Sequence, residues 1–563
     1  MNRRHFLNLG VAGGALSVLP TFAACTSSNP STESRSKELS VDLVIAGGGL
    51  GGCASALGAL RNGLTVILTE ETDWIGGQIT TQGVPPDEHP WIETHGATKL
   101  YLNFRNRVRE YYLRNYPLTD EARAWQYLNP GNGSVSRLCH EPRVALAVLY
   151  EMLNPYISSG KLTLLTEYKP VGADVTGDKV RALKLAHVRN RDEIVLTAPY
   201  FVDATELGDL LPLTGTEFRT GTESRNETKE LHAPEKADPL NQQAFTVCFA
   251  LDYEKGANYI IDKPAEYDFW HDYVPALTPA WSGRLLDLTY CTPKTLVPNT
   301  LAFHPEGMTE GDVLNLWNYR RIISKNNFKP GTYVGDISII NWPQNDYLLG
   351  NLDRSEQEFN RHVARAKQLN LSLLYWLQTE APRPDGGQGW PGLRLRGDIM
   401  GTGDGMAKYP YIREARRIKA LFTILEEHVG AENRMQVSGK NTAAEFPDSV
   451  GVGYYHIDLH PSTGGNNYID FPSLPYQIPL GALIPQRMEN LLPANKNIGA
   501  THITNGCYRE HPTEWNIGEA AGMLTSFALQ RKTTPRAVRE KADLLTDFQR
   551  MIQVQGVEIR WPG

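Results

Sequence analysis

The sequence predicts an α/β fold, in which a parallel sheet carries an antiparallel meander and is interrupted by a large α+β insertion. Three observations predict it. Strand, glycine turn, helix and second strand follow one another between Val41 and Thr69. Apolar and polar residues alternate through 172–198 around a Thr176-Gly177-Asp178 turn. From Ile484 the chain resumes strand-and-turn patterning of the first kind, after a long stretch of different character.

Val41 to Ala46 is a short apolar run with β-branched residues, long enough for a buried parallel strand. Gly47, Gly49 and Gly52 then stand in G-x-G-x-x-G spacing. The first permits the tight turn, the second lets backbone approach a pyrophosphate, and the third lets helix pack on sheet. The helix expected from Leu50 to Arg61 points its free N–H groups and positive dipole end at that anion. Leu64 to Thr69 is the second strand. Glu70 follows it at the distance where a carboxylate meets ribose hydroxyls, and an acid there disfavours a 2′-phosphate. An isolated glycine fingerprint is weak in a chain with 50 glycines, but here the flanking elements are all in place.

Further segments specify the dinucleotide. Gly76-Gly77-Gln78 follows Glu70 closely, Ala204-Thr205-Glu206-Leu207-Gly208-Asp209 closes a strand, and Gly518-Glu519-Ala520-Ala521-Gly522 lies in a C-terminal helical stretch. Tyr411 to Ile418 is similar to an Arg-Glu-Ser-Arg-Arg motif, with Ala415 in place of Ser. Together these resemble the bacterial FAD-dependent oxidoreductases, with an FAD domain similar to that of glutathione reductase. The resemblance covers Leu39 to Leu529 and implies a Rossmann-like FAD-binding domain. It implies that FAD contacts Gly47, Gly49, Gly52, Glu70, Gly76, Gly77, Gln78, Ala204, Thr205, Gly208, Asp209, Gly518, Glu519 and Ala521. A helix starting at Pro512 or Thr513 would point its N-terminus at the flavin. The expected layout is a leader (1–25), a linker (26–40), the FAD domain in two parts (41–215 and 481–530), an inserted substrate domain (216–480) and a helical tail (531–563).

The leader has a basic start, an apolar centre and small residues at its end, as a signal peptide does. Asn2-Arg3-Arg4-His5-Phe6-Leu7 resembles the twin-arginine export motif, a route that carries folded, cofactor-loaded proteins. Phe22-Ala23-Ala24-Cys25 looks like a lipoprotein box, which would make Cys25 a lipid anchor and the only membrane contact. An ordinary signal peptide is the alternative. The expected location is the periplasm, free or lipid-anchored. The six cysteines show no C-x-x-C spacing, so iron–sulfur and zinc centres are not expected. Net charge is −7 without a basic cluster, which argues against nucleic acid.

Three residues are the catalytic candidates. His502 and Arg509 precede the closing helix. Arg509 either orients an anionic or carbonyl group or serves as a structural clamp. His456 belongs to Tyr455-His456-Ile457-Asp458-Leu459-His460, where strand alternation puts His456, Asp458 and His460 on one face. No metal is expected there, because a fourth ligand is missing. Asp353–Glu380 and Tyr409–His428 have helical periodicity, and Arg383–Gly405 is an irregular stretch that either caps the cavity or lies on the surface. No second dinucleotide unit follows, so electrons would pass to dioxygen, a quinone or a redox protein. The expected function is oxidation of a small polar substrate by hydride transfer to FAD. A reductase fed by a quinol or redox protein is the alternative, and a non-catalytic dinucleotide-binding lipoprotein is a third.

Overall fold

A five-stranded parallel sheet organises the molecule, in the order Leu491–Pro493, Tyr200–Asp203, Leu43–Ala46, Val66–Glu70, Leu162–Thr166. The computed structural model describes residues 37–307 and 313–562. The leader, Cys25 and residues 26–36 lie outside the described residues. The strand Leu43–Ala46 is fully buried, as its unbroken apolar run requires of a strand covered on both faces. The edge strand Leu491–Pro493 comes from the far end of the chain, so the C-terminal segment completes the sheet begun by the N-terminal one.

The fingerprint helix spans Leu50–Arg61, as the glycine spacing predicts. It lies against a second helix, His511–Arg531, and glycines set the distance between them. A Cβ on Gly518 would come within 2.0 Å of the Gly51 carbonyl oxygen, and one on Gly522 within 2.0 Å of the Ser55 carbonyl oxygen. Any larger residue would force the helices apart.

The meander is present. Tyr168–Thr176 and Lys179–His187 form a hairpin around Gly177, which takes φ +59°, and Glu193–Thr197 pairs next. Lys37–Ser40, inside the stretch expected as linker, is a strand paired parallel to Glu193–Thr197.

A second, antiparallel sheet takes Arg321–Ile323, Ile337–Ile340, Phe249–Tyr253 and Leu393–Leu395 in that order. The long helix Glu356–Thr379 begins at Ser355, whose hydroxyl accepts the Glu358 N–H, and ends just before Pro382. The segment Tyr409–His428 is not the expected helix. Apart from a single turn at Glu426–Val429 it runs irregular and extended, with Tyr411 paired to Thr246 and Ile418 to Phe218. Its charged residues explain the departure: Arg413, Glu414 and Arg417 are buried in ion pairs with partners in different directions, which one helix face could not reach. Arg383–Gly405 contributes the strand Leu393–Leu395 and the buried Trp390 and Met400, and keeps its arginines partly exposed. Arg394 and Arg396 pair with Asp252, and Arg383 with Asp385. Among the described residues the five cysteines are free and buried, and no helix is long and apolar enough to cross a membrane.

Candidate functional site

Two concave regions carry the residues of interest. The first is a groove at the carboxyl ends of the parallel strands, lined by Gly47, Gly49, Glu70, Glu71, Gly77, Thr81, Ala204, Thr205, Glu206, Asp209 and Tyr409, with Tyr168 and Pro170 at one end. Backbone forms much of its wall. Gly76 and Gly77 both take positive φ, +111° and +52°. A Cβ on Gly77 would sit 2.9 Å from the Gly49 Cα and 3.2 Å from the Leu50 nitrogen, blocking the helix N-terminus. The opposite wall is the turn after Tyr200–Asp203. There the buried Asp203 carboxylate accepts the N–H and hydroxyl of Thr205 and the Leu210 N–H, and Thr205 Oγ1 accepts the Asp209 N–H. Gly208, at φ +67°, lets that turn close. Glu70 Oε2 accepts the Gly48 N–H at 2.9 Å and Oε1 the Thr72 N–H. Burial raises the Glu70 pKa to about 8 and that of Glu71 to about 7.

These residues fit FAD. Bare glycine backbone before a helix N-terminus suits a pyrophosphate, and carboxyls beyond the second strand suit ribose hydroxyls. The structure brings Gly47, Gly49, Glu70, Gly77, Ala204, Thr205 and Asp209 together along the groove. Gly52 does not line it. A Cβ there would meet the Gly47 carbonyl oxygen at 2.0 Å, which is the helix-packing role of the third fingerprint glycine.

Gly518, Glu519 and Ala521 are placed differently from expectation. They lie two turns into the helix, Gly518 against Gly51 and the Glu519 carboxylate near Arg61 and Trp515, and none lines the groove. The pattern Gly-Glu-Ala-Ala-Gly is a helix-contact pattern here. The helix itself starts at His511, after Glu510, so the residues at its N-terminus are those that face inward. Gln78 connects the two regions: its amide donates to the Arg509 carbonyl oxygen at 3.1 Å and to the Glu514 carboxylate.

The second region is a cavity of about 190 Å³ walled by Arg509, by residues that flank strands of the antiparallel sheet (Tyr319, Arg320, Asn341 and Trp342) and by the hairpin Ile457–Leu459/Ile469–Phe471. His456, Asp458 and His460 all line it, on one face, as the alternation predicts. His460 is held by the buried Asp346, whose Oδ2 accepts Nδ1–H at 2.5 Å. Burial alone would raise the Asp346 pKa, but the Arg413 guanidinium beside it and the hydrogen bonds it accepts from His460 and Thr246 bring it down to about 2. His456 stands more exposed, 3.8 Å from Asp470. Arg509 is buried and held at both terminal nitrogens: Nη1 donates to the Tyr411 hydroxyl at 2.7 Å and lies 3.0 Å from Glu510, while Nη2 donates to Asp458 Oδ2 at 3.0 Å.

His502 is not at the cavity. Its Nδ1 lies 3.0 Å from the Glu414 carboxylate, which also holds Arg417, in a buried ion cluster that ties the Tyr411–Ile418 segment to the C-terminal part of the chain. Its closeness in sequence to Arg509 is undone by the helix His502–Tyr508, whose first and last turns face different neighbours.

Several lining residues carry no local sequence signal: Asp87, Tyr290, Tyr319, Arg320, Asn341, Trp342 and Tyr468. Asp470 does carry one. It stands directly opposite Asp458 in the hairpin, and the turn at 461–467 makes that register countable from the sequence.

Residues 42–552 match the family described as FAD dependent oxidoreductase. No curated protein sequence matches the chain. Among solved structures, L-proline dehydrogenase from P. horikoshii is 16% identical over 37% of this chain and 31% of its own, at a TM-score of 0.18, so the match spans under a third of that protein. A geranylgeranyl bacteriochlorophyll reductase-like protein from Thermoplasma acidophilum is 11% identical over 92% and 85%, at 0.29. A mutant form of the E. coli quinol fumarate reductase subunit FrdA is 9% identical over 92% and 74%, at 0.31. The family match spans groove, cavity and closing helix alike, and the chain belongs to the FAD-dependent oxidoreductase family.

Proposed function

We propose that this oxidoreductase oxidises a small polar substrate bound in the cavity beside Arg509, with His460 as the proton acceptor. The observation that carries this is the Asp346–His460 pair. A buried carboxylate fixes the imidazole through Nδ1, which leaves Nε2 as the basic nitrogen on the cavity side. Of the bases expected from sequence, His456 is partly exposed and 3.8 Å from its nearest carboxylate, and His502, though held through Nδ1 by the buried Glu414, does not line the cavity. When bound, FAD supplies the two-electron, hydride-accepting chemistry. His460 Nε2 takes the proton of a substrate O–H or N–H. Arg509 holds the substrate end of the site against the groove, since its carbonyl binds Gln78 while its guanidinium walls the cavity. The N-terminus of His511–Arg531 contributes a positive dipole end at the junction.

The leader supports export to the periplasm, with Cys25 as a lipid anchor if its box is cleaved. With no nicotinamide site in the sequence, the electrons then pass to dioxygen, a quinone or a redox protein.

Anaerobic mixing of the purified holoenzyme with hydroxy acids, amino acids and sugars tests the reading. At least one should bleach the flavin, and His460→Ala should slow bleaching by about 10²- to 10⁴-fold with FAD retained. Bleaching as fast in the variant removes His460 from the chemistry. A flavin that no donor bleaches, but that an acceptor reoxidises once it is chemically reduced, makes the protein a reductase.

A further inference from the structure

We propose that the cavity takes a substrate bearing a carboxylate, anchored by Arg320. This rests on the oxidation reading above for the rest of the substrate, but not for the anion.

Arg320 is the least satisfied cation of the cavity wall. Its side chain is 9% exposed. Its sole ion-pair partner among the described residues is Asp87, at 3.4–3.5 Å; its Nε has no hydrogen-bond partner, as is also true of Arg413 and Arg509, so the long ion pair is what sets it apart. A guanidinium cannot shed its charge, so a buried one with only long contacts is costly unless an anion joins it. Arg509 and Arg413 differ. Each is held by a carboxylate at about 3 Å, Arg509 by Asp458 and Arg413 by Asp346.

Neutral donors accompany Arg320. Its carbonyl pairs with the Ile339 N–H in the antiparallel sheet, which sets Asn341 and Trp342 just beyond it. The Asn341 amide nitrogen, Trp342 Nε1 and the Tyr468 hydroxyl are buried without partners, and all three residues line the same cavity. A charged donor with three neutral ones matches the four lone-pair directions of a carboxylate. The carboxylates in the wall do not oppose this. Asp458 is engaged by Arg509 and Asp87 lies on Arg320 itself. Asp470 faces His456, 3.8 Å away.

The test is titration of the oxidised holoenzyme with malonate and with malonamide, read by perturbation of the flavin absorption. Malonate should saturate and bind at least about tenfold more tightly, the scale of one charge-assisted pair. Arg320→Met should erase that preference and Arg320→Lys recover part of it. Tyr468→Phe, which removes a hydroxyl with no partner in the free protein, should weaken malonate several-fold and leave malonamide unchanged. Equal affinity for the two probes overturns the proposal, as does unchanged malonate binding in an FAD-loaded Arg320→Met. The readout needs no turnover. Malonate binding through Arg320 with no donor ever bleaching the flavin would sink the oxidation reading alone; bleaching by neutral donors without anion preference would sink this one alone.

Discussion

The FAD groove and the cavity beside Arg509 are built on opposite electrostatic and structural principles. Backbone makes the groove: glycines at 47, 49 and 77 and two turns bring peptide groups to the ligand, and its carboxyls Glu70 and Glu71 have raised pKa values. Side chains make the cavity, and its key carboxylates, Asp346 and Asp458, are held below their ordinary range by arginines and histidines. Recognition by backbone needs glycines at fixed short spacing, so it is written locally. Recognition by side chains needs only that some residue arrive, so it can be assembled from Asp87, Arg320, Asn341, His460 and Arg509, scattered between positions 87 and 509.

The largest expected effect falls on the groove. Gly49→Trp should cost more than about 10³-fold in FAD affinity, because an indole would start into the space bounded by Glu206, the Ala204 carbonyl and Asn495, at the groove wall. The flavin-to-protein ratio after purification reads this directly. A stoichiometric flavin in a folded variant would mean that backbone does not define the groove, and the contrast would collapse.

The same contrast explains what was legible in the sequence. The βαβ unit, the meander hairpin, the long helix before Pro382 and most of the groove follow from apolar period, turn residues and glycine spacing. The hairpin face of His456, Asp458 and His460 is legible as well, because strand alternation is a local rule. Misplaced residues are those whose role depends on a distant partner. Tyr409–His428 has helical periodicity but is drawn out by buried ion pairs to Glu223, Asp346 and His502. Gly518 and Ala521 fit a cofactor motif, yet at that position a second helix passes at backbone distance. His460 rises above His502 only once the fold shows that the first lines the cavity and the second does not, although a buried carboxylate holds each.

Arg509→Ala should separate the two regions. The guanidinium belongs to the cavity and the carbonyl to the groove contact with Gln78, so the substitution removes the first and keeps the second. Flavin reduction by substrate should slow by roughly 10²-fold, as misplaced reacting groups do, while FAD affinity changes little. Arg509→Lys keeps the charge beside Asp458 and guards against a folding defect in the alanine variant. Equal loss of both properties would make Arg509 a clamp shared by the two regions.

The smallest effect is the stability response to pH, and there the two regions should move in opposite directions. The folded Asp346 carboxyl titrates at about 2, below its ordinary 3.8, so it binds its proton less readily than in the unfolded chain. Its stabilisation is present above the unfolded value and is lost as pH falls from near 4 to 2, by about 2 kcal/mol. Glu70 has the reverse sign. Its folded pKa of about 8 exceeds the ordinary 4.5, so the folded groove keeps a proton that the unfolded chain has released. Stability is then lost as pH rises from about 4.5 towards 8. Melting of the apoprotein across this range should show Asp346→Asn flattening the acid limb and Glu70→Gln the neutral-to-alkaline limb, each leaving the other limb in place. If FAD binding uses the Glu70 carboxyl, loading the cofactor should alter the second limb and not the first. A holoprotein whose acid limb shifts instead would show that the cavity charges answer to the cofactor, and that the two regions are one electrostatic unit.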